Sequence, residues 1–172
     1  MTSVITDQEP SAPALGVAEV EILRPTASDT EAVLAMLGRC SRASLFHRFH
    51  GFTDGVAYFA ALLRDRPDDQ TLLAWSGRVC VGVATLGVGT TGVVDLGVLV
   101  EDAWQRRKIG TRLIASLLDE ARAKGLTTVH ADVLVDDAFI LQALRRIAPL
   151  SVSADRGSLL IDIDLSREAS NR

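Results

Sequence analysis

At 172 residues, with 48% hydrophobic and 23% charged, the chain has the size and balance of one globular domain that buries about 70% of its unfolded surface. A formal net charge of −4 argues against nucleic acid as a partner, because such proteins carry broad basic surfaces. Cys40 and Cys80 are isolated, without Cys-x-x-Cys spacing. Neither a disulfide framework nor a metal site is therefore expected, and reduced thiols in the cytoplasm are the default.

Met1 to Ala14 lacks a basic start and an apolar run and contains Pro10 and Pro13, so it reads as a disordered tail rather than a targeting peptide. The expected division is a tail at 1–16, a folded domain at 17–165 and a second tail at 166–172. Val17 to Leu23 alternates, with Val20 and Ile22 facing one way and Glu19 and Glu21 the other, which predicts a half-buried strand ended by Pro25. Ser28 and Glu31 have the spacing of a capping box for a helix through Cys40. Ser44 to Phe49 is a second helical piece, and Asp54 caps a third that buries Val56, Ala57, Phe59, Ala60 and Leu63.

Beyond the loop Pro67-Asp68-Asp69, Thr71 to Trp75 and Val79 to Val88 form a hairpin about Ser76-Gly77-Arg78. Val79 to Val100 carries one charge, Asp95, over about the length of a membrane-crossing helix. Five glycines, many valines and a central Gly89-Thr90-Thr91-Gly92 break favour two strands instead, so no membrane span is expected. Gly87 to Gly92 spells Gly-x-Gly-x-x-Gly, but a strand follows it where a dinucleotide site needs a helix.

The most informative stretch runs from Val98 to Lys124. The strand Val98-Leu99-Val100 passes through the turn Glu101-Asp102-Ala103-Trp104 into a helix whose stripe is Ile109, Leu113, Ile114, Leu117, Leu118 and Ala121, stopped by Gly125. Arg106, Arg107, Lys108 and Arg112 crowd positive charge onto the positive end of that helix, against its dipole. A bound anion would relieve the repulsion, and the exposed N–H groups of a helix start suit one. A solvated basic patch is the plainer alternative. Thr128 to Leu134 is a further strand, Asp137 to Ala148 a helix, Leu150 to Val152 a short strand and Ser158 to Leu165 a longer one. His47 and His50 are three apart, yet no acid or cysteine joins them at ligand spacing. His130 alternates within its strand, where nothing demands a role for it.

The run from Val98 to Leu113 resembles the acetyl-CoA pyrophosphate loop of the GNAT superfamily of N-acetyltransferases. Gln105, Ile109, Gly110 and Thr111 are in register, while Lys108 stands where the first glycine is usual. The order of elements from Val17 to Leu165 is similar too. The resemblance implies a mixed α/β fold: a mostly antiparallel twisted sheet of six to seven strands, a splayed central parallel pair and helices on both faces. Ser41 to Phe49 resembles a Ser-x-x-Ser-Leu-Tyr-x-Arg-Phe motif of the bacterial protein-lysine acetyltransferase branch, with Phe46 in place of the tyrosine. Its plainer reading is an amphipathic helix that packs Leu45 and Phe49, with Arg48 holding a neighbouring loop.

What the resemblance implies for function is transfer of an acetyl group from acetyl-CoA, as cosubstrate, to a primary amine on a small molecule or a protein lysine. Val98, Leu99 and Val100 would hold the pantetheine arm. Arg106, Arg107, Lys108, Ile109, Gly110 and Thr111 would hold the diphosphate. Asp95, ten residues before Gln105, occupies the position of the glutamate base on this strand in many such enzymes. A carboxylic acid with an ordinary pKa near 3.9 is a weak base for an ammonium. Asp137 stands where an asparagine is frequent, and the tyrosine acid of some members is missing. A non-catalytic acyl-CoA-binding module therefore stays open as an alternative, as does a homodimer.

Overall fold

A computed structural model describes residues 19–65, 70–88 and 93–166. The tail at 1–16, residues 167–172, the loop at Pro67-Asp68-Asp69 and the turn at Gly89 to Gly92 lie outside the described residues. In chain order the elements are β1 (Val20–Leu23), α1 (Thr30–Arg39), α2 (Arg42–Phe49), α3 (Val56–Asp65), β2 (Gln70–Ser76), β3 (Val79–Val88) and β4 (Val94–Val100). Then come α4 (Ile109–Ala123), β5 (Thr128–Leu134), α5 (Ala138–Arg145), β6 (Leu150–Asp155) and β7 (Ser158–Asp164). The strands form one sheet in the order β1-β2-β3-β4-β5-β7-β6. Every neighbouring pair is antiparallel except β4 with β5, so the mixed architecture is as expected.

Helices cover both faces of this sheet. On one face, all six predicted stripe residues of α4 are buried against Leu72, Val81, Ala84, Leu86, Val129, Ala131 and Ile161, with Leu144 of α5. On the other, Val33, Met36 and Leu37 of α1, Leu45 of α2 and Phe59 of α3 pack on Leu73, Cys80, Val83 and Leu99. Side chains of a strand alternate between faces, and a bulge adjusts that alternation in β3. Trp75 pairs with Cys80 and Ala74 with Gly82, which leaves Val81 as the extra residue. Cys80 and Val83 therefore share a face despite their odd spacing.

Four local expectations differ from what forms. In α3, Val56 and Ala57, expected inside, are exposed, and Phe59 is the fully buried residue. The capping box lies two residues earlier than predicted: the Thr26 N–H and hydroxyl donate to Asp29 Oδ2 at 2.7 and 2.8 Å, while Ser28 is bonded to the Thr26 hydroxyl at 2.7 Å. A single 3-10 turn, Ala27–Asp29, then leads into α1. The helix after β5 ends at Arg145, and the chain to Ala148 tightens through bonds from Ile147 N to Leu144 O and from Arg146 N to Ala143 O. β6 extends to Asp155 because Arg156 and Gly157, at φ 43° and 96°, supply the two positive-φ residues that a tight hairpin to β7 requires.

What positions the site is the junction of β4 and β5. β3 pairs with β4 along its length, from Val94 to Val100, whereas β5 meets β4 at one register position, Asp95 with His130. Beyond it the parallel strands separate. One edge of β4 toward Val100 is left facing a gap, and the backbone groups on that edge are available to a ligand.

Candidate functional site

The gap opens into a groove of about 760 Å³, a size typical of small-molecule clefts. Val98, Leu99 and Val100 form one wall, Arg106, Lys108, Ile109, Gly110 and Thr111 the end, Ser41, Ser44, His47 and Arg48 of α2 the roof, and Ile140 and Ala143 of α5 the far side. Arg106 and Lys108 are both in the left-handed region, at φ 58° and 63°. Two non-glycine residues there cost roughly 1–2 kcal/mol each. Alternating the sign of φ turns successive backbone N–H groups toward one side, the geometry of an anion-binding nest. α4 starts immediately after. Arg112 N is bonded to Lys108 O at 3.0 Å, so the N–H groups of Ile109, Gly110 and Thr111 precede the first intrahelical bond.

The four cations expected at this end are not gathered together. Arg106 and Lys108 line the groove. Arg107 does not line it, but its guanidinium sits 4.9 Å from the ring centre of Trp104, which does. Arg112 donates to the Val20 carbonyl of β1 at 2.8 Å, so it fastens α4 to the sheet instead of adding charge to the groove.

The loop is held by two acids that no motif flagged, Glu101 and Asp102, together with Gln105 of the loop signature. Arg39 of α1 donates to the buried Glu101 carboxylate at 3.0 Å and to the Cys80 carbonyl at 2.7 Å. Asp102 accepts from Ser41 N at 2.8 Å, Ser41 Oγ at 2.7 Å and Ser44 Oγ at 3.0 Å, which places a carboxylate on the N-terminus of α2. Partial burial pushes its carboxyl up, but the hydrogen bonds from Ser41 and Ser44 outweigh that, so its pKa is lowered overall. Gln105 donates to both Ser44 Oγ and the Val100 carbonyl, each at 3.0 Å. The loop, the end of β4 and α2 are thereby one connected piece.

A second cavity, of about 430 Å³, adjoins the first along the β4–β5 gap and shares His47, Arg48, Val98, Ile114 and Ile140 with it. Its walls include Asp95, Gly97, Asp132, Leu160, His47 and His50. Asp95 is exposed there, and among the described residues nothing pairs with it. Arg48 borders both cavities. Among the described residues its guanidinium meets strands and helices and not the expected loop: it lies against bare Gly97, donates to Thr85 Oγ1 at 3.0 Å and sits 5.1 and 5.4 Å from the Phe49 and Tyr58 ring centres. Leu45 is buried and Phe49 partly so, as the helical pattern of α2 predicts. His50 Nδ1 is 3.4 Å from Asp132 Oδ2.

Neither cysteine is suited to nucleophilic work. Burial, then the neighbouring Asp102 and Glu101 charges, push the Cys40 thiol up to about 12. Burial pushes Cys80 up to about 11. Both stay protonated at neutral pH and offer no thiolate.

The profile of the Acetyltransferase (GNAT) family matches residues 41–144, which takes in the lining of the larger cavity and that of the smaller apart from Leu160. Among curated proteins none matches. Among solved structures the chain is similar to the GNAT domain of S. lividans PAT, at 19% identity and a TM-score of 0.73, over 84% of this chain and 90% of that one. It is similar to yncA of Salmonella typhimurium, a putative acetyltransferase solved with its cofactor acetyl-CoA, at 18% identity and TM-score 0.65, over 89% and 95%. It is also similar to the ribosomal-protein-S18-alanine N-acetyltransferase of Escherichia coli, at 16% identity and TM-score 0.67, over 90% and 99%. At these identities the likeness is one of fold. The family match covers more than half of the sequence, and with it the chain belongs to the GNAT acetyltransferase family.

Proposed function

We propose that this protein transfers an acetyl group from acetyl-CoA directly to a primary amine. The observation that carries the reading is the separation of β4 from β5 beyond Asp95 and His130, with a groove that ends on two left-handed cationic residues at the start of α4. Support also comes from the family match and from the acetyl-CoA named with the yncA structure. Acetyl-CoA would supply the activated thioester, and the residues lining the groove fit it. The free edge at Val98, Leu99 and Val100 offers backbone groups to the pantetheine amides, as an added strand would. Arg106, Lys108 and the N–H groups through Ile109, Gly110 and Thr111 offer donors to the diphosphate; Arg107 contributes there through its main chain.

In this reading the two cavities meet at the reacting carbon. Asp95 would accept a proton from the acceptor ammonium, directly or through one water, the freed nitrogen lone pair would attack the thioester carbonyl, and as the C–S bond breaks the CoA sulfur would leave and take up the second proton lost by the nitrogen. An N–H near Leu99 or Val100 stabilises the oxygen as it becomes charged. With both cysteine thiols held protonated, direct transfer is favoured over an acyl-cysteine route. The unpaired thiols also suit a reducing compartment such as the cytoplasm.

The test is release of free CoA thiol with a panel of small amines and lysine peptides, alongside calorimetry with acetyl-CoA. Amine-dependent release that falls at least a hundredfold in Asp95→Asn is expected. Binding without release from any amine would leave the non-catalytic module, and no binding at millimolar cofactor would end both readings.

A further inference from the structure

Register places three chemically matched side chains in a row across the sheet. Asp95 on β4 pairs with His130 on β5, and His130 pairs with Asp162 on β7. Residues opposite one another in register share a face, so a carboxylate, an imidazole and a carboxylate stand side by side on three adjacent strands. His130 Nδ1 is 2.5 Å from Asp162 Oδ1. That contact orients the ring, leaves Nε2 as the nitrogen with no partner among the described residues, and repeats the relation of a base to the group that orients it.

The row runs outward from the second cavity, which Asp95 lines, across β5 to β7. All three side chains reach water: Asp95 is exposed, and those of His130 and Asp162 are 38% and 55% exposed. The titratable groups facing His130 are Asp95 from β4, Asp162 from β7 and, two residues along β5, Asp132, which is paired with His50 of α2.

We propose that His130, held by Asp162, is a proton-relay residue for acetyl transfer. The inference rests on the acetyltransferase reading above. The ammonium N–H bond breaks as an O–H bond forms on Asp95. That O–H bond then breaks as an N–H bond forms at His130 Nε2, and the imidazolium gives the proton to water. No electrons change hands. A carboxylic acid ordinarily titrates near 3.9 and an ammonium near 10.4, so a carboxylate alone is a poor sink for this proton. Imidazole lies between the two, and next to Asp95 it clears the carboxylate for the next turnover. Because His130 acts through Asp95, it is a positioning and relay group, not one that touches the acyl carbon.

The deciding experiment follows amine-dependent thiol release from about pH 5 to about pH 9 in the wild type, His130→Gln, Asp162→Asn and His130→Ala, the last with and without added imidazole. The expected result is a fall in kcat of about tenfold to a hundredfold in His130→Gln, an unchanged KM for acetyl-CoA and loss of the acid limb of the profile. Asp162→Asn falls between, and imidazole restores rate to His130→Ala. A His130→Gln enzyme with wild-type kcat and wild-type pH profile overturns the relay while leaving the acetyltransferase reading intact. A rate loss in His130→Ala that imidazole does not restore marks a structural role and overturns it too. Absence of thiol release by the wild type with every amine overturns the parent reading, and the relay with it.

Discussion

The two adjoining cavities along the β4–β5 gap are built in opposite ways. The larger is made of backbone and cation: a free strand edge, a helix start, and Arg106 and Lys108 in left-handed conformations. The smaller is made of side chains, with Asp95, Asp132, His47 and His50 contributed by β4, β5 and α2. The first needs only a contiguous stretch to be set correctly, while the second exists only once register brings distant residues together. Arg48 and α2 border both, so one helix ties a cationic end to an acidic one.

The sharpest way to break this contrast is to remove the charge from the cationic end alone. Arg106→Ala with Lys108→Ala deletes two exposed side chains, each placed for a charge-assisted bond worth about 1.5–3 kcal/mol. Calorimetry should show acetyl-CoA binding weakened by about a hundredfold or more, with a flatter dependence on salt, while KM for the amine stays put. An unchanged affinity would mean that the groove does not take its ligand by the diphosphate.

The same contrast explains what the sequence discloses. The stripe from Ile109 to Ala121 is a periodic pattern within one window, and its buried face is as the pattern predicts; β3 and β4 are legible instead as apolar, valine-rich runs, and β3 is buried on both faces. Thr26 and Asp29 compete with Ser28 and Glu31 for the same capping geometry, and spacing alone does not choose between them. The second half of β6 hid, because beyond Val152 its residues Ser153, Ala154 and Asp155 are exposed on an edge and carry no apolar alternation; only the Arg156-Gly157 turn gives it away. Arg112 looked like part of the anion site because its contact, Val20 O, is 92 residues distant. The row Asp95, His130 and Asp162 needs two strand registers before it exists at all.

Asp102 probes the tie between the cavities, with a smaller expected effect. Its carboxylate caps α2 through Ser41 and Ser44, and losing a cap costs about 1 kcal/mol. Asp102→Asn should lower stability by about that amount at neutral pH and should weaken acetyl-CoA binding and amine turnover together, because α2 roofs one cavity and walls the other. The folded pKa is lowered, so the stabilisation is full above the unfolded carboxyl value near 3.9 and is lost as pH falls through the folded value. Denaturant melts of both proteins should therefore converge below about pH 4. A stability gap that persists into acid would mean that the charge is not what holds the helix.

Gly110 gives the finest test of whether the larger cavity is shaped for a ligand or only for the chain. A Cβ built there would meet Val100 Cγ2 at 3.7 Å and Val98 Cγ2 at 3.9 Å, ordinary contacts that require no glycine. In a helix alanine is favoured over glycine by up to about 1 kcal/mol, so Gly110→Ala should melt at the wild-type temperature or a few degrees above it. If a diphosphate approaches the first turn of α4, the added methyl meets it, and affinity for acetyl-CoA should fall severalfold while the fold gains. Stability and affinity moving in opposite directions is the signature of a glycine kept for a ligand. If affinity instead holds or rises with stability, the first turn of α4 is not where the anion rests, and the nest at Arg106 to Lys108 must bind it alone.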